Sequence, residues 1–378
     1  MRVLFSSFAV PGHLIPMLPL VRALRAAGDE VAFVGPPSIG HVLGGEDVQI
    51  LVAGPEVMPD MLEEIIRRTG VDPRDGAIDV ETEAEVFAGV RVDMSYDDVL
   101  AAARQWRPDL VVGDSYDYLG PLVAAALDVP FGTVTLGQDP RPEQLAALGA
   151  RIAPRREERG LPQRRAAFVV DICPPALQAD GWQKPEGWLP IRPEAYHAPG
   201  AAAPADPAAK AARPKVLLTF GTIFGDPRVV SPLVNAIAEL DVDLHVTTGP
   251  VAQPEDFDVD RDRVRFEPFR PLADLLRDVD VVVCHAGAGT TYGALSAGIP
   301  LVVLPQGADQ FAVADRAVAA GAALRLLPEE TTPERLRQAV TSVLTDSTCR
   351  DNAAKVAAQI ADMPTAAEVA ESIAMLLR

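Results

Sequence analysis

The sequence predicts an α/β chain made of two parallel βαβ arrays, and three observations carry that expectation. Continuous apolar runs at Val281–Val283 and Leu301–Leu304 bracket a short helical segment, as strands buried on both faces would. A second array opens the chain, with Val3–Phe8 and Glu30–Val34 as strands on either side of a helical apolar pattern. The length of 378 residues accommodates two cores at ~100 to 200 residues each.

Taken in order, Val3–Phe8 is followed by a Pro11-Gly12 turn and by a helix whose apolar face is Met17, Leu20, Val21 and Leu24, ending before Gly28. No GxGxxG follows the first strand, so its loop need not bind phosphate. It offers His13, which at a βα loop is either structural or a proton acceptor. Pro55–Trp106 reads as helical and acidic, with a turn at Gly70–Gly76 and with Met58, Met61, Phe87 and Met94 as core residues or the wall of an apolar pocket. Asp109–Gly113 is another buried strand with Asp114 at its carboxyl end, as a helix cap or a crevice residue, and Asp117 three positions on. The arginines of 151–165, interleaved with Glu157 and Glu158, read as a solvated face.

Ala198–Pro214 is rich in Ala and Pro, cannot bury a core, and reads as a linker. Beyond it Lys215–Phe220 starts the second array, with Gly221-Thr222 as its turn. Phe269 is core or a stacking surface. Gly287 and Gly289 allow close backbone approach, so that N–H groups at Gly289, Thr290 and Thr291 would close on an anion at a helix N-terminus, with His285 as a further donor; a glycine turn serving packing alone is the alternative. Asp309 and Gln310 follow the next strand at its carboxyl end, on the same crevice. Asp278-Val279-Asp280 has the spacing of a divalent-metal clamp, but the DVD string recurs at Asp241 and Asp258, so no metal ligand is expected. Pro364 precedes a final helix, Thr365–Leu377.

A formal net charge of −19 argues against nucleic acid and anionic membrane surfaces as partners. Cys173, Cys284 and Cys349 are odd in number and widely spaced, which favours neither a disulfide framework nor zinc and points to the cytoplasm. No run approaches the ~18 apolar residues of a membrane helix, so stable membrane insertion is not expected.

The string HAGAGTT followed by ALSAGIPLVVLPQGADQ resembles the donor-binding signature of family 1 glycosyltransferases of GT-B fold, in their bacterial natural-product tailoring branch. That resemblance implies two Rossmann-like domains facing each other across a cleft. Residues 1–203 would bind the acceptor, 204–214 would be the linker, 215–363 would bind the nucleotide sugar, and 364–378 would pack back on the first domain. It implies that Thr222, His285, Gly287, Gly289 and Thr290 lie at the nucleotide diphosphate, that Phe269 stacks on the nucleobase, and that Asp309 and Gln310 hold sugar hydroxyls. Gly12-His13-Leu14-Ile15-Pro16 matches the family's GHxxP pattern, which makes His13 the catalytic base and Asp114 its partner, with Asp117 in reserve. Met58, Met61 and Phe87 would line the acceptor pocket. Where plant members carry a ribose-binding Glu this chain has Gly293, which leans the donor toward a dTDP-activated deoxyhexose over a UDP-sugar.

The expected activity is inverting transfer of a hexose or deoxyhexose to a hydrophobic natural product, without cofactor or metal, the nucleotide sugar being a co-substrate. A homodimer is allowed for. Two alternatives share the donor motif: a nucleotide-sugar epimerase, and a non-catalytic nucleotide-sugar-binding partner protein, which would have no need of His13 and Asp114.

Overall fold

The computed structural model describes residues 1–75, 78–200, 213–221, 226–249, 252–268 and 270–377. Thr222, Phe269 and most of 204–214 lie outside the described residues. The chain divides by its contacts into two units, one of Met1–Ile172, Trp182–Arg192 and Pro364–Arg378, the other of Cys173–Gly181 and Pro193–Met363. Residues 173–181 and 193–200 thus group with the second unit, ahead of the Ala/Pro-rich stretch in which the sequence places the boundary.

The first unit holds seven strands: β1 Arg2–Ser6, β2 Glu30–Gly35, β3 Gln49–Val52, β4 Leu110–Asp114, β5 Phe131–Val134, β6 Phe168–Asp171 and β7 Trp188–Pro190. All pair in parallel, in the order β3-β2-β1-β4-β5-β6-β7. Val3, Leu4 and Phe5 are fully buried, as are Leu110, Val111 and Val112, because helices cover both sheet faces. Leu4 faces Ala32 on one side and Val111 on the other, and with Val92, Val99, Ala103 and Leu122 forms one core layer. The winding reverses between β1 and β4, which makes their carboxyl ends the place where an open α/β sheet leaves a crevice.

The helix Leu18–Ala26 buries Leu20, Val21 and Leu24 on the apolar stripe legible in the sequence, and Gly28 beyond it takes a left-handed φ of 92°. Against it packs the C-terminal helix Ala366–Leu376, whose N-terminus Thr365 and Glu368 close reciprocally: the Thr365 N–H donates to Glu368 Oε2 at 2.8 Å.

The arginines of 151–165 are not simply a solvated face. Arg151 pairs with Glu81 and with the buried Glu85, Arg155 with Asp93, and Arg159 lies over the Tyr96 ring. Arg68 joins Glu64, Glu85 and Asp93 to the same network. The acidic stretch after residue 60 folds against these arginines, so opposite charges far apart in sequence neutralise each other locally.

The second unit holds β8 Lys215–Thr219, β9 Asp243–Thr247, β10 Val264–Glu267, β11 Val281–Cys284, β12 Leu301–Val303 and β13 Ala323–Arg325, all parallel in the order β10-β9-β8-β11-β12-β13. Its reversal falls between β8 and β11. Val216, Leu218, Val281 and Val283 pack on the helices Pro227–Ala238 and Pro333–Thr345 through Val230, Val234, Leu336 and Val340. Among the described residues no helix is long and apolar enough to cross a membrane.

Candidate active site

On the first unit, the turn after β1 is closed by the Val10 carbonyl, which accepts from the N–H groups of His13 and Leu14, both at 3.1 Å. This sets His13 at the mouth of the sheet reversal, where β4 delivers Asp114. His13 Nδ1 and Asp114 Oδ2 lie 3.3 Å apart. The same carboxylate oxygen accepts from Ser7 Oγ at 2.6 Å, and Oδ1 accepts from the Tyr116 N–H at 2.7 Å. Burial by itself would push the Asp114 carboxyl up, but His13, Ser7 and the Arg91 guanidinium outweigh it and hold the group below the usual carboxylate range. An ionised carboxylate only accepts, so Nδ1 carries the hydrogen and Nε2 is the basic nitrogen.

Phe87 stacks on the His13 ring at 5.4 Å with an interplanar angle of 25°, and Phe8 and Tyr116 flank it at 5.9 and 6.2 Å. The three acceptor-wall candidates separate. Phe87 reaches the base, Met61 is buried in an apolar cluster with Ile65, Val86 and Val90, and Met58 is exposed. Asp117 turns away from His13: its carboxylate meets Arg91 Nη2 at 2.8 Å and accepts from the N–H groups of Leu119 and Gly120. Ser7, Phe8, Tyr116 and Arg91 were not singled out from sequence; only the position of Ser6-Ser7 at the end of the first strand could have drawn notice.

On the second unit, Gly287 is the N-cap of the helix Ala288–Ser296, and Ala286 before it has a positive φ of 66°. The N–H groups of Ala288, Gly289 and Thr290 precede the first intrahelical bond and head the helix dipole, an anion site in charge and geometry. Thr291 does not join them, contrary to the sequence reading, because its N–H donates to the Gly287 carbonyl at 2.9 Å. Thr290 is half-buried, and a Cβ at Gly289 would meet nothing within 4 Å.

His285 is 8 % exposed, and its ring is clasped between glycines: a Cβ at Gly287 would come within 2.4 Å of Nε2, and one at Gly221 within 2.8 Å of Cε1. Burial pushes the imidazole down to about 4, against a hydrogen bond with the Thr219 backbone. It is therefore neutral near pH 7 and contributes hydrogen bonding rather than charge.

Asp309, partly buried, is the N-cap residue of the helix Gln310–Ala319. Gln310 is only 2 % exposed, and its side-chain oxygen accepts from the N–H groups of Gln306 and Gly307 at 2.8 and 3.3 Å. That oxygen shapes the loop after β12, which leaves the side-chain NH2 as the group of Gln310 that could meet a sugar hydroxyl. Asp280 likewise has a structural task, its carboxylate accepting the Lys215 N–H at 2.9 Å where β8 begins. Among the described residues no group of three or more His, Cys, Asp or Glu side chains gathers that could hold a metal ion.

Gly293 is closed by packing. A Cβ there would lie 2.9 Å from Leu272 Cδ2 and 3.2 Å from the Ala195 Cα. Gly293→Glu is accordingly expected to destabilise the protein by about 1–3 kcal/mol by overpacking, seen as a lower melting temperature, and not to create a ribose-binding carboxylate. An unchanged melting temperature with tighter UDP binding would contradict this.

Two reversed parallel sheets, with a His–Asp pair at one reversal and a glycine-capped helix N-terminus at the other, are the architecture of a GT-B glycosyltransferase, and comparison with known proteins shows that class. Residues 22–221 match the N-terminal domain, and residues 231–376 the C-terminal domain, of the family described as erythromycin biosynthesis protein CIII-like. The chain is 30% identical over 381 residues to the L-demethylnoviosyl transferase of Streptomyces niveus, with 99% of this chain and 98% of that one covered. It is 27% identical to the 3-alpha-mycarosylerythronolide B desosaminyl transferase of Saccharopolyspora erythraea, covering 98% and 96%. Among solved structures it is similar to spinosyn rhamnosyltransferase SpnG, with a TM-score of 0.83, 28% identity and 99% and 100% of the two chains covered. SpnG has also been solved with spinosyn aglycone and with thymidine diphosphate. The chain belongs to the erythromycin biosynthesis protein CIII-like family and is a glycosyltransferase of bacterial natural-product tailoring.

Proposed function

We propose that this enzyme transfers a deoxyhexose from a dTDP-sugar to a hydroxyl of a polyketide-type aglycone with inversion, and that His13 is the base. The observation that carries the reading is the hydrogen-bonded His13–Asp114 pair at the reversal of the first sheet, which a protein that only bound nucleotide sugars would not need. In the proposed step His13 Nε2 takes the hydroxyl proton as the oxygen bonds to the anomeric carbon. The bond from that carbon to the diphosphate oxygen breaks, and dTDP leaves. Asp114 offsets the imidazolium charge, and the N-terminus of Ala288–Ser296, with His285, receives the charge developing on the diphosphate. The dTDP preference is supported by the closed Gly293 position, which withholds a carboxylate from the ribose, by the SpnG structure with thymidine diphosphate, and by relatives whose names describe deoxysugar transfer.

Mass spectrometry on mixtures of macrolide and aromatic polyketide acceptors with dTDP- and UDP-sugars tests this, with the anomeric configuration read from proton coupling. A glycosylated acceptor with the anomeric centre inverted relative to the donor is the expected product. Retention of configuration, or epimerised nucleotide sugar with no acceptor product, would overturn it.

Asp309 is proposed to bind sugar hydroxyls, so Asp309→Ala is expected to leave dTDP affinity near wild type while raising the KM for the dTDP-sugar. A large loss of dTDP binding in the folded variant, measured by calorimetry, would move Asp309 to the nucleotide end.

A further inference from the structure

Behind the base lies a buried ion pair to which the reaction as described gives no part. Arg91, at the start of the helix Arg91–Trp106, is 4 % exposed; besides Asp117 at 2.8 Å, it donates to Ser6 Oγ at 3.2 Å. Ser6 and Ser7 are adjacent in β1 and its exit, so neighbouring hydroxyls serve the two sides of the site: Ser6 the guanidinium, Ser7 the Asp114 carboxylate. The Asp117 N–H donates to the Asp114 carbonyl at 3.0 Å, which fixes the two acidic residues on one turn. A Cβ at Gly113 or Gly120 would come within 2.5 Å of the Asp117 carboxylate, so the backbone closes around it and excludes water.

Two carboxylates buried side by side do not both ionise without a nearby cation. Burial pushes the Asp117 carboxyl up, with Asp114 adding to this and Arg91 opposing it. Among the described residues, the other titratable groups that act on Asp114 are His13 and Tyr118, with Glu83 acting on Tyr118 in turn; Tyr116 meets the carboxylate only through its backbone N–H. Burial, Glu83 and Asp114 push the Tyr118 hydroxyl up to about 12, so it stays neutral. Of these groups none is a permanent cation, and the fixed positive charge is that of Arg91. A buried ion pair is often no more stabilising than apolar residues of similar volume, so stability alone is a weak reason for this one.

We propose that Arg91 is a positioning residue for the base: its guanidinium, anchored on Asp117 and Ser6, balances two buried carboxylates so that Asp114 remains ionised and holds the His13 imidazole. This rests on the reading of His13 as the base. Arg91 touches no reacting atom. It acts through Asp114, and Asp117 is the anchor that keeps the guanidinium in place.

The test is the pH profile of kcat for wild type, Arg91→Met, Asp117→Asn and the double variant, with an aliphatic-alcohol acceptor. Removing the guanidinium lets His13 and the carboxylate pair hold a proton more tightly, so the acid limb moves to higher pH, by about one unit for charges at this range. Removing the Asp117 charge moves it to lower pH, and the double variant returns close to wild type. A packing role does not produce opposite shifts from the two members of one pair. Superimposed profiles, or shifts in the same direction, overturn the proposal. If Arg91→Met fails to fold by circular dichroism, Asp117→Asn decides alone: a shift to lower pH supports the proposal, and no shift or an upward one overturns it. NMR titration of the His13 ring in the same proteins reads the same shifts without turnover. A failure of the base assignment, seen as unchanged turnover in His13→Ala, is thereby told apart from a failure of the Arg91 proposal.

Discussion

His13→Ala is expected to lose about 10² to 10⁴ in turnover while dTDP binding stays near wild type, the usual worth of a general base. The loss falls on kcat because the imidazole acts only as the acceptor hydroxyl is deprotonated, and the inferred donor contacts all belong to the second unit. An aliphatic alcohol at saturation shows the effect fully; an acceptor that is already a strong nucleophile, such as an ionised phenol, has less need of a base. Equal rates for the variant and wild type would remove His13 from the mechanism. The neutral imidazole is the active form, so the wild-type rate declines toward acid pH. Asp114 is not the group that limits this decline. Its carboxyl is held below the ordinary range, so its charge persists above its unfolded value and is lost only as pH falls through the depressed folded one. Asp114→Asn, which keeps the shape and removes the charge, is expected to fall less steeply than His13→Ala.

Gly287→Ala is expected to weaken dTDP binding by roughly tenfold to a hundredfold, from overpacking strain of about 1–3 kcal/mol delivered at the anion site. The added Cβ would fall 2.4 Å from His285 Nε2, and the ring has little room to retreat because Gly221 closes its other side and Phe220 stacks near it. The helix N-cap and the imidazole must therefore shift together. Calorimetry with dTDP reads the loss, and a melting curve shows whether it is local. Affinity equal to wild type in the folded variant would mean that the glycine serves packing alone and that the diphosphate binds elsewhere.

The fold was largely legible from runs of apolar residues. Val3–Phe8, Asp109–Gly113, Lys215–Phe220 and Val281–Val283 are strands within a residue or two, because a strand buried on both faces must be apolar throughout, and that leaves a local trace. His13, His285 and Gly287 were singled out through short motifs, since tight βα turns need particular residues at fixed spacing, and Asp114 through its place at the carboxyl end of a buried strand. The resemblance gave those residues roles that spacing alone left open.

Other features depended on partners remote in sequence. Whether Asp114 or Asp117 faces His13 could not be read from two acids three residues apart; it was decided by Arg91 and by the Leu119 and Gly120 amides, which claim Asp117. The arginines of 151–165 looked solvated because Glu81, Glu85 and Asp93, which neutralise them, lie some 60 to 70 positions earlier. That the Gln310 oxygen is taken by the backbone of its own loop could not be read from the Asp-Gln pair either. The sequence by itself determined the two parallel arrays and the residues at their reversals, because apolar period and glycine turns are local properties of the chain. Only the tertiary structure decided which charges meet, since a buried carboxylate takes its partner from whatever helix packs against it, and no local pattern records that choice.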